Sequence, residues 1–131
     1  MMPNTPRRSR PITQQLGNRN WYITFRSGSA ELTPAGQLVL EELARELTTN
    51  RLAVEIHGHT DNVGTADGNQ LLSQRRAEAV QRALENRWPG TFPPGRLRVV
   101  PHGQTQPVAD NGTEAGKAQN RRVQIIQGTT S

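Results

Sequence analysis

The strongest constraint on this chain is a change of hydrophobic period that recurs along it. Short runs that suit β-strands are separated by longer segments with helical spacing. "WYITF" (Trp21 to Phe25) groups β-branched and aromatic residues and stops at "RSGSA". Thr33 followed by Pro34 marks a helix start, with Thr33 as cap and Pro34 at the first helical position. Val39, Leu43 and Leu47 then stand four apart, and Leu40 and Ala44 widen the stripe. "LAVEIHG" returns to period two, with Ala53, Glu55 and His57 on one face and Val54, Ile56 and Gly58 on the other. From about Asn69 to Arg87 the spacing is helical again, through Leu72, Val80, Leu84 and Trp88. "RLRVVPHG" and "RRVQIIQG" read as two more strands, joined by a turn-rich segment with room for one short helix. The order predicts an α+β two-layer sandwich: a β-α-β-α-β-β core with a mixed sheet and helices packed on one face.

Length and composition narrow what such a sandwich can do. A chain of 131 residues holds one domain with a modest core. Residues 1–18 have no apolar periodicity and read as a flexible basic tail or linker, 19–128 as the folded domain and 129–131 as a C-terminal tail. Few aromatics leave the core to Leu, Val, Ile and Ala and argue against a deep cofactor pocket, so no cofactor is expected. Cysteine is absent, which excludes disulfides, thiolate catalysis and cysteine-ligated zinc. No apolar run approaches a membrane span, and the first residues lack the apolar stretch of a secretory signal. The net charge of +5 comes almost wholly from arginine, Lys117 being the only lysine, so anionic partners fit the surface.

Two constellations compete for the chemistry. In "EIHGHTDNVG", His57, His59 and Asp61 alternate, and the string resembles the opening of the metal-binding motif of metallo-β-lactamase-like hydrolases, although Asn62 stands where that motif continues with histidine. With His102 as a third ligand, a small metal-dependent hydrolase is one alternative reading. A basic nucleic-acid-binding domain is another, but the chain lacks stacking aromatics and a recognised motif for it. No phosphate-cradling glycine loop or nucleophile elbow is present.

The second constellation starts from an anomaly. Arg76 lies in the apolar stripe Leu72, Val80, Leu84, so its guanidinium must be paired or aimed at a ligand. The nearest acid by topology is Asp61, at the end of the preceding strand. A carboxylate and a guanidinium flanking one crevice make a receptor for a zwitterion: Asp61 takes an ammonium and Arg76 grips a carboxylate. The structural alternative is an internal ion pair.

The segments carrying this pair also carry a family likeness. "IHGHTDNVGTADGNQLLSQRRAEAV" resembles the signature of the OmpA-like C-terminal domain, found also in Pal and MotB-type proteins, and the likeness extends through "ITFRSGSAELTPAG" and "GQTQPVADNGTEAGKAQNRRVQI". The resemblance implies a non-enzymatic domain that binds peptidoglycan non-covalently through the meso-diaminopimelate of the stem peptide. It implies that Asp61 and Arg76 hold that group, with Thr60, Asn62 and Asn69 lining the pocket. It further implies a periplasmic, cell-envelope location and fusion to an upstream exported module. Under it, His59 belongs to the strand-end architecture and the pairing with His57 is accidental. In "NRRV", Arg121 and Arg122 are expected to alternate faces of the last strand, so that at most one points toward the core layer, and the motif reads as structural. Arg26, Gly68 and His102 depart from the family pattern: Gly68 and His102 are expected to change the pocket wall or local packing, and Arg26 to add positive charge close to the crevice.

Overall fold

The computed structural model describes residues 20–127. The expected tails at 1–18 and 129–131 lie outside the described residues. Seven elements follow one another: β1 (Asn20–Thr24), α1 (Pro34–Leu47), β2 (Val54–Gly58), α2 (Ala66–Arg87), β3 (Leu97–Pro101), α3 (Glu114–Asn120) and β4 (Arg122–Gln127). The short helix allowed for between the last two strands forms as α3.

The strands make one sheet in the order β1-β4-β2-β3. β4 runs antiparallel to both β1 and β2, while β2 and β3 are parallel, joined through α2. The sheet is therefore mixed, as the element order predicted, and β1, β2 and β3 all point the same way. Their C-terminal ends, and the start of β4, meet at one edge of the sheet. Functional side chains gathered at that edge come from four separate parts of the chain.

Period two sorts the strand residues. Trp21, Ile23, Val54, Ile56, Leu97, Val123 and Ile125 are buried on the face covered by the helices. Against them α1 packs Leu40, Leu43, Ala44 and Leu47, and α2 packs Ala77, Val80 and Leu84. Burying each of the larger side chains contributes roughly 1.5–3 kcal/mol. The opposite face carries Tyr22, Gln124, Glu55, His57 and Arg98 and is only partly covered.

The helices begin where the sequence supplies oxygen caps. Thr33 Oγ1 accepts from the Gly36 amide at 3.1 Å, and Pro34 follows at the first helical position. Thr65 does the same for α2, accepting from Gly68 at 3.0 Å, with Asp67 in the first turn. α2 thus starts at Ala66, a turn before the apolar spacing made it visible.

Gly58 fixes how closely α2 approaches the sheet. A Cβ built there would lie 2.0 Å from the Ser73 carbonyl oxygen, so only glycine lets the helix backbone rest on the strand. That contact puts Arg76, three residues further along α2, beneath the end of β2.

Candidate functional site: the strand-end crevice

Beyond Gly58, β2 runs into His59, Thr60 and Asp61, all buried. Thr60 is held by its amide, which donates to the Gly103 carbonyl at 2.9 Å, and its hydroxyl donates to the Asp61 carbonyl at 2.7 Å. Asp61 Oδ1 accepts from the Val63 amide at 3.1 Å, closing a tight turn that Gly64 completes with φ +91°. Asn69 braces the turn from α2: its Nδ2 donates to the Val63 carbonyl at 3.0 Å, to Gln104 Oε1 at 2.8 Å and, longer, to the Asp61 carbonyl at 3.3 Å. Asn62 is exposed at the tip of the turn, outside this network.

The second carboxylate oxygen of Asp61 meets an arginine, but that arginine is Arg121. Its Nη1 lies 3.2 Å from Asp61 Oδ2, while its Nε donates to the Phe25 carbonyl at 3.1 Å. Both side chains are largely shielded, with 8% and 13% of their surface exposed, and Glu114 adds a longer contact to the same nitrogen at 3.9 Å. The reading of "NRRV" as purely structural missed this pairing. Arg122, its neighbour, turns to the opposite sheet face, where Nη2 donates to the Gln106 carbonyl at 3.2 Å. The alternation of faces expected for the two arginines is thus observed, and one of them arrives at the crevice.

Arg76 is fully buried and does not ion-pair directly with Asp61. Its Nε donates to the Ser29 carbonyl at 2.8 Å, its Nη1 to the His59 carbonyl at 3.0 Å and its Nη2 to the Arg26 carbonyl at 3.1 Å. The guanidinium also lies over the Phe25 ring, 5.3 Å from its centroid. Burial pushes its pKa down to about 10; Asp61 opposes that shift and Arg121 adds to it, and the group stays charged at neutral pH. All three guanidinium nitrogens of Arg76 thus donate to backbone carbonyls. Its side chain clamps the loop after β1 onto the end of β2 and sets a positive charge beneath Asp61.

Arg121 also borders a cleft of about 330 Å³ lined by Phe25, Arg26, Thr33 and Gln119. Arg26, which departs from the family pattern, thus stands beside the crevice, as its position suggested. Gly68 occupies the exposed first turn of α2, where its amide caps on Thr65.

His102 follows directly on β3. Its ring stacks on His59 with centroids 4.7 Å apart and on His57 at 5.0 Å, and His57 Nδ1 lies 2.7 Å from His102 Nε2. His57 Nε2 in turn meets Glu55 Oε1 at 2.9 Å. The three histidines of the metal reading do come together, but as nearly parallel plates, 9° and 12° apart, rather than as converging donors. Among the described residues no cluster of three or more His, Asp or Glu is arranged to hold a metal ion. That geometry gives the hydrolase reading no support. His59 is 2% exposed, its ring nitrogens find no partner among the described residues, and burial with the nearby Arg122 drives its pKa down to about 3. Burial lowers His102 in the same sense, helped by His57 and Arg122.

Residues 24–121 match the OmpA family. The chain is 42% identical over 104 residues to the probable lipoprotein YiaD of Escherichia coli, covering 79% of this chain but only 46% of that relative. Among solved structures it resembles the peptidoglycan-associated lipoprotein from Burkholderia pseudomallei, with a TM-score of 0.75 and 32% identity over 82% of this chain and 89% of that one. The cell wall anchor of the T6SS from Pseudomonas aeruginosa superposes with a TM-score of 0.70, also at 32% identity, over 84% of this chain and 80% of that one. No helix among the described residues is long and apolar enough to cross a membrane. A match across most of the folded part, with the same arrangement of strands and helices, places this chain in the OmpA family.

Proposed function

We propose that this domain binds peptidoglycan without catalysing a reaction on it, and that it recognises the meso-diaminopimelate of the stem peptide at the Asp61 crevice. In the cell envelope such binding would anchor whatever module is attached to the domain. The observation that carries the reading is the Asp61 carboxylate, shielded and held by the Val63 amide and Arg121 at the edge where three strands end. The printed names of two related structures, a peptidoglycan-associated lipoprotein and a cell wall anchor, support it from outside the chain.

The chemistry follows from charge placement. A free ammonium entering the crevice meets a carboxylate already oriented by two hydrogen bonds, so little ordering remains to be done on the protein side. The ligand's own carboxylate then finds Arg121, released in part from Asp61, with Arg76 contributing its field from below. Thr60 and Asn69 keep the turn in place, and Asn62 lies at its rim. Charge-assisted bonds of this kind contribute about 1.5–3 kcal/mol each before ordering costs, which suits micromolar affinity. The nucleic-acid reading has no comparable support, since the basic residues nearest the crevice are engaged with carbonyls and with Asp61.

The test is an NMR titration with a stem peptide containing meso-diaminopimelate, run beside its lysine counterpart and repeated on Asp61→Asn. Saturable shifts around residues 59–63 and Arg121 with the first peptide alone, lost in the variant, are the expected outcome. Equal responses to both peptides would refute recognition of diaminopimelate, and silence from both would refute binding at this crevice.

A further inference from the structure

The opposite edge of the sheet carries a second concavity. β2 and β3 start there, roughly 15 Å from the Asp61 turn by the length of a five-residue strand. The residues that follow α1, from Thr48 to Arg51, and the segment joining α2 to β3 enclose a cleft of about 400 Å³. Its charged lining residues are Arg51 and Arg96, and no acid lines it.

Arg96 is held rigidly and left un-neutralised. Its Nε donates to the Leu52 carbonyl at 2.9 Å, its Nη1 to the Thr91 carbonyl at 2.7 Å and its Nη2 to Asn50 Oδ1 at 2.9 Å. Its guanidinium also sits over the Phe92 ring, 5.5 Å from the centroid. All three acceptors are uncharged, and two of the five guanidinium N–H groups are left over. Arg51 is exposed and has no ion-pair partner among the described residues. It lies near enough to Arg96 for the two charges to oppose each other. The amides of Asn50, Arg51 and Gly90, also on the lining, donate to no acceptor among the described residues.

The carbonyl end of α1 would ordinarily repel an anion here. Two hydroxyls reduce that effect: Thr48 Oγ1 donates to the Ala44 carbonyl at 2.8 Å and Thr49 Oγ1 to the Glu46 carbonyl at 2.7 Å. The lining then carries an excess of N–H donors and two like charges that an anion between them would reconcile. Guanidinium groups with spare N–H pairs match tetrahedral oxyanions well. We propose that this cleft is a second binding site, separate from the Asp61 crevice, for a phosphate group, either free or carried on a lipid headgroup.

Inorganic phosphate, titrated at constant ionic strength and followed by amide NMR, tests the site directly. The expected result is saturation in the millimolar range at the amides of Asn50, Arg51 and Gly90, with Asp61 and Val63 unmoved. Arg51→Glu, at an exposed position that bonds nothing, should weaken that saturation by about tenfold or more. Vesicles of phosphatidylcholine with and without phosphatidylglycerol separate the sources. Flotation that needs the anionic lipid and Arg51 identifies a headgroup, whereas phosphate saturation without flotation identifies a free phosphate. Unsaturated shifts spread over other arginines, or an Arg51→Glu variant that saturates like the wild type, would overturn the proposal.

Discussion

Lowering the pH should destabilise this domain through His59, and the size of the effect can be worked out. The imidazole is buried, unpartnered among the described residues and close to Arg122, so its pKa in the folded state is about 3 against 6.5 for a free histidine. A depressed folded pKa means that the unfolded chain takes up a proton the native state refuses. The stabilisation is therefore fully present above pH 6.5 and is lost progressively as the pH falls toward 3. Between pH 7.5 and pH 5 the loss is about 2 kcal/mol, from 1.36 kcal/mol per pH unit over the roughly 1.5 units below the unfolded pKa. His102 adds to the loss with the same sign. Urea unfolding at the two pH values measures it, in the wild type and in His59→Phe and His59→Gln. Both variants should lose about 2 kcal/mol less than the wild type over that interval. The His59 ring protons should show no titration by NMR down to pH 4. If the variants lose as much stability as the wild type, or if His59 titrates near pH 6, the account of its burial is wrong.

Two further perturbations probe the scaffold beneath the crevice. Gly58→Ala should destabilise by more than about 3 kcal/mol or prevent folding, because its Cβ would fall 2.0 Å from the Ser73 carbonyl oxygen and the helix backbone cannot yield cheaply; an unfolding midpoint close to wild type would show that α2 can lift off the sheet. Arg76→Ala should lower stability by about 3–5 kcal/mol, since the Arg26, Ser29 and His59 carbonyls all lose their side-chain donor, whereas Asp61→Asn, which keeps an oxygen for the Val63 amide but takes the opposite charge from Arg121, should cost less, about 1–3 kcal/mol. Denaturant unfolding of the two variants side by side decides this, and equal, small losses would mean that Arg76 is not the clamp described here.

The parts of the fold written in local periodicity were legible in the sequence. Alternation in "LAVEIHG" sorted Val54 and Ile56 from Glu55 and His57, and Thr33-Pro34 marked the start of α1. Arg76 stood out because a charge interrupted an apolar stripe, and Asp61 because it followed a strand. What the spacing could not supply was the partner of each. Arg76 finds backbone carbonyls on a loop nearly fifty residues earlier, and no side-chain pattern advertises a carbonyl. Arg121 reaches Asp61 because β4 inserts between β1 and β2, a strand order that chain order alone does not dictate. The one available signal was the alternation in "NRRV", which sends two arginines to different places. The earlier start of α2 was also readable, from Thr65 as a cap with Asp67 in the first turn, but the apolar spacing drew attention away from it.

The direction of β1 has a mechanical consequence. Its first residue, Asn20, lies at the sheet edge remote from the Asp61 turn, and its rungs pair with β4 from Asn20↔Ile126 to Thr24↔Arg122. A pull applied at Asn20 while the Asp61 edge is held runs parallel to the strands and across their hydrogen bonds. The β1–β4 ladder is then loaded in shear, so its rungs resist together instead of opening one at a time from an end.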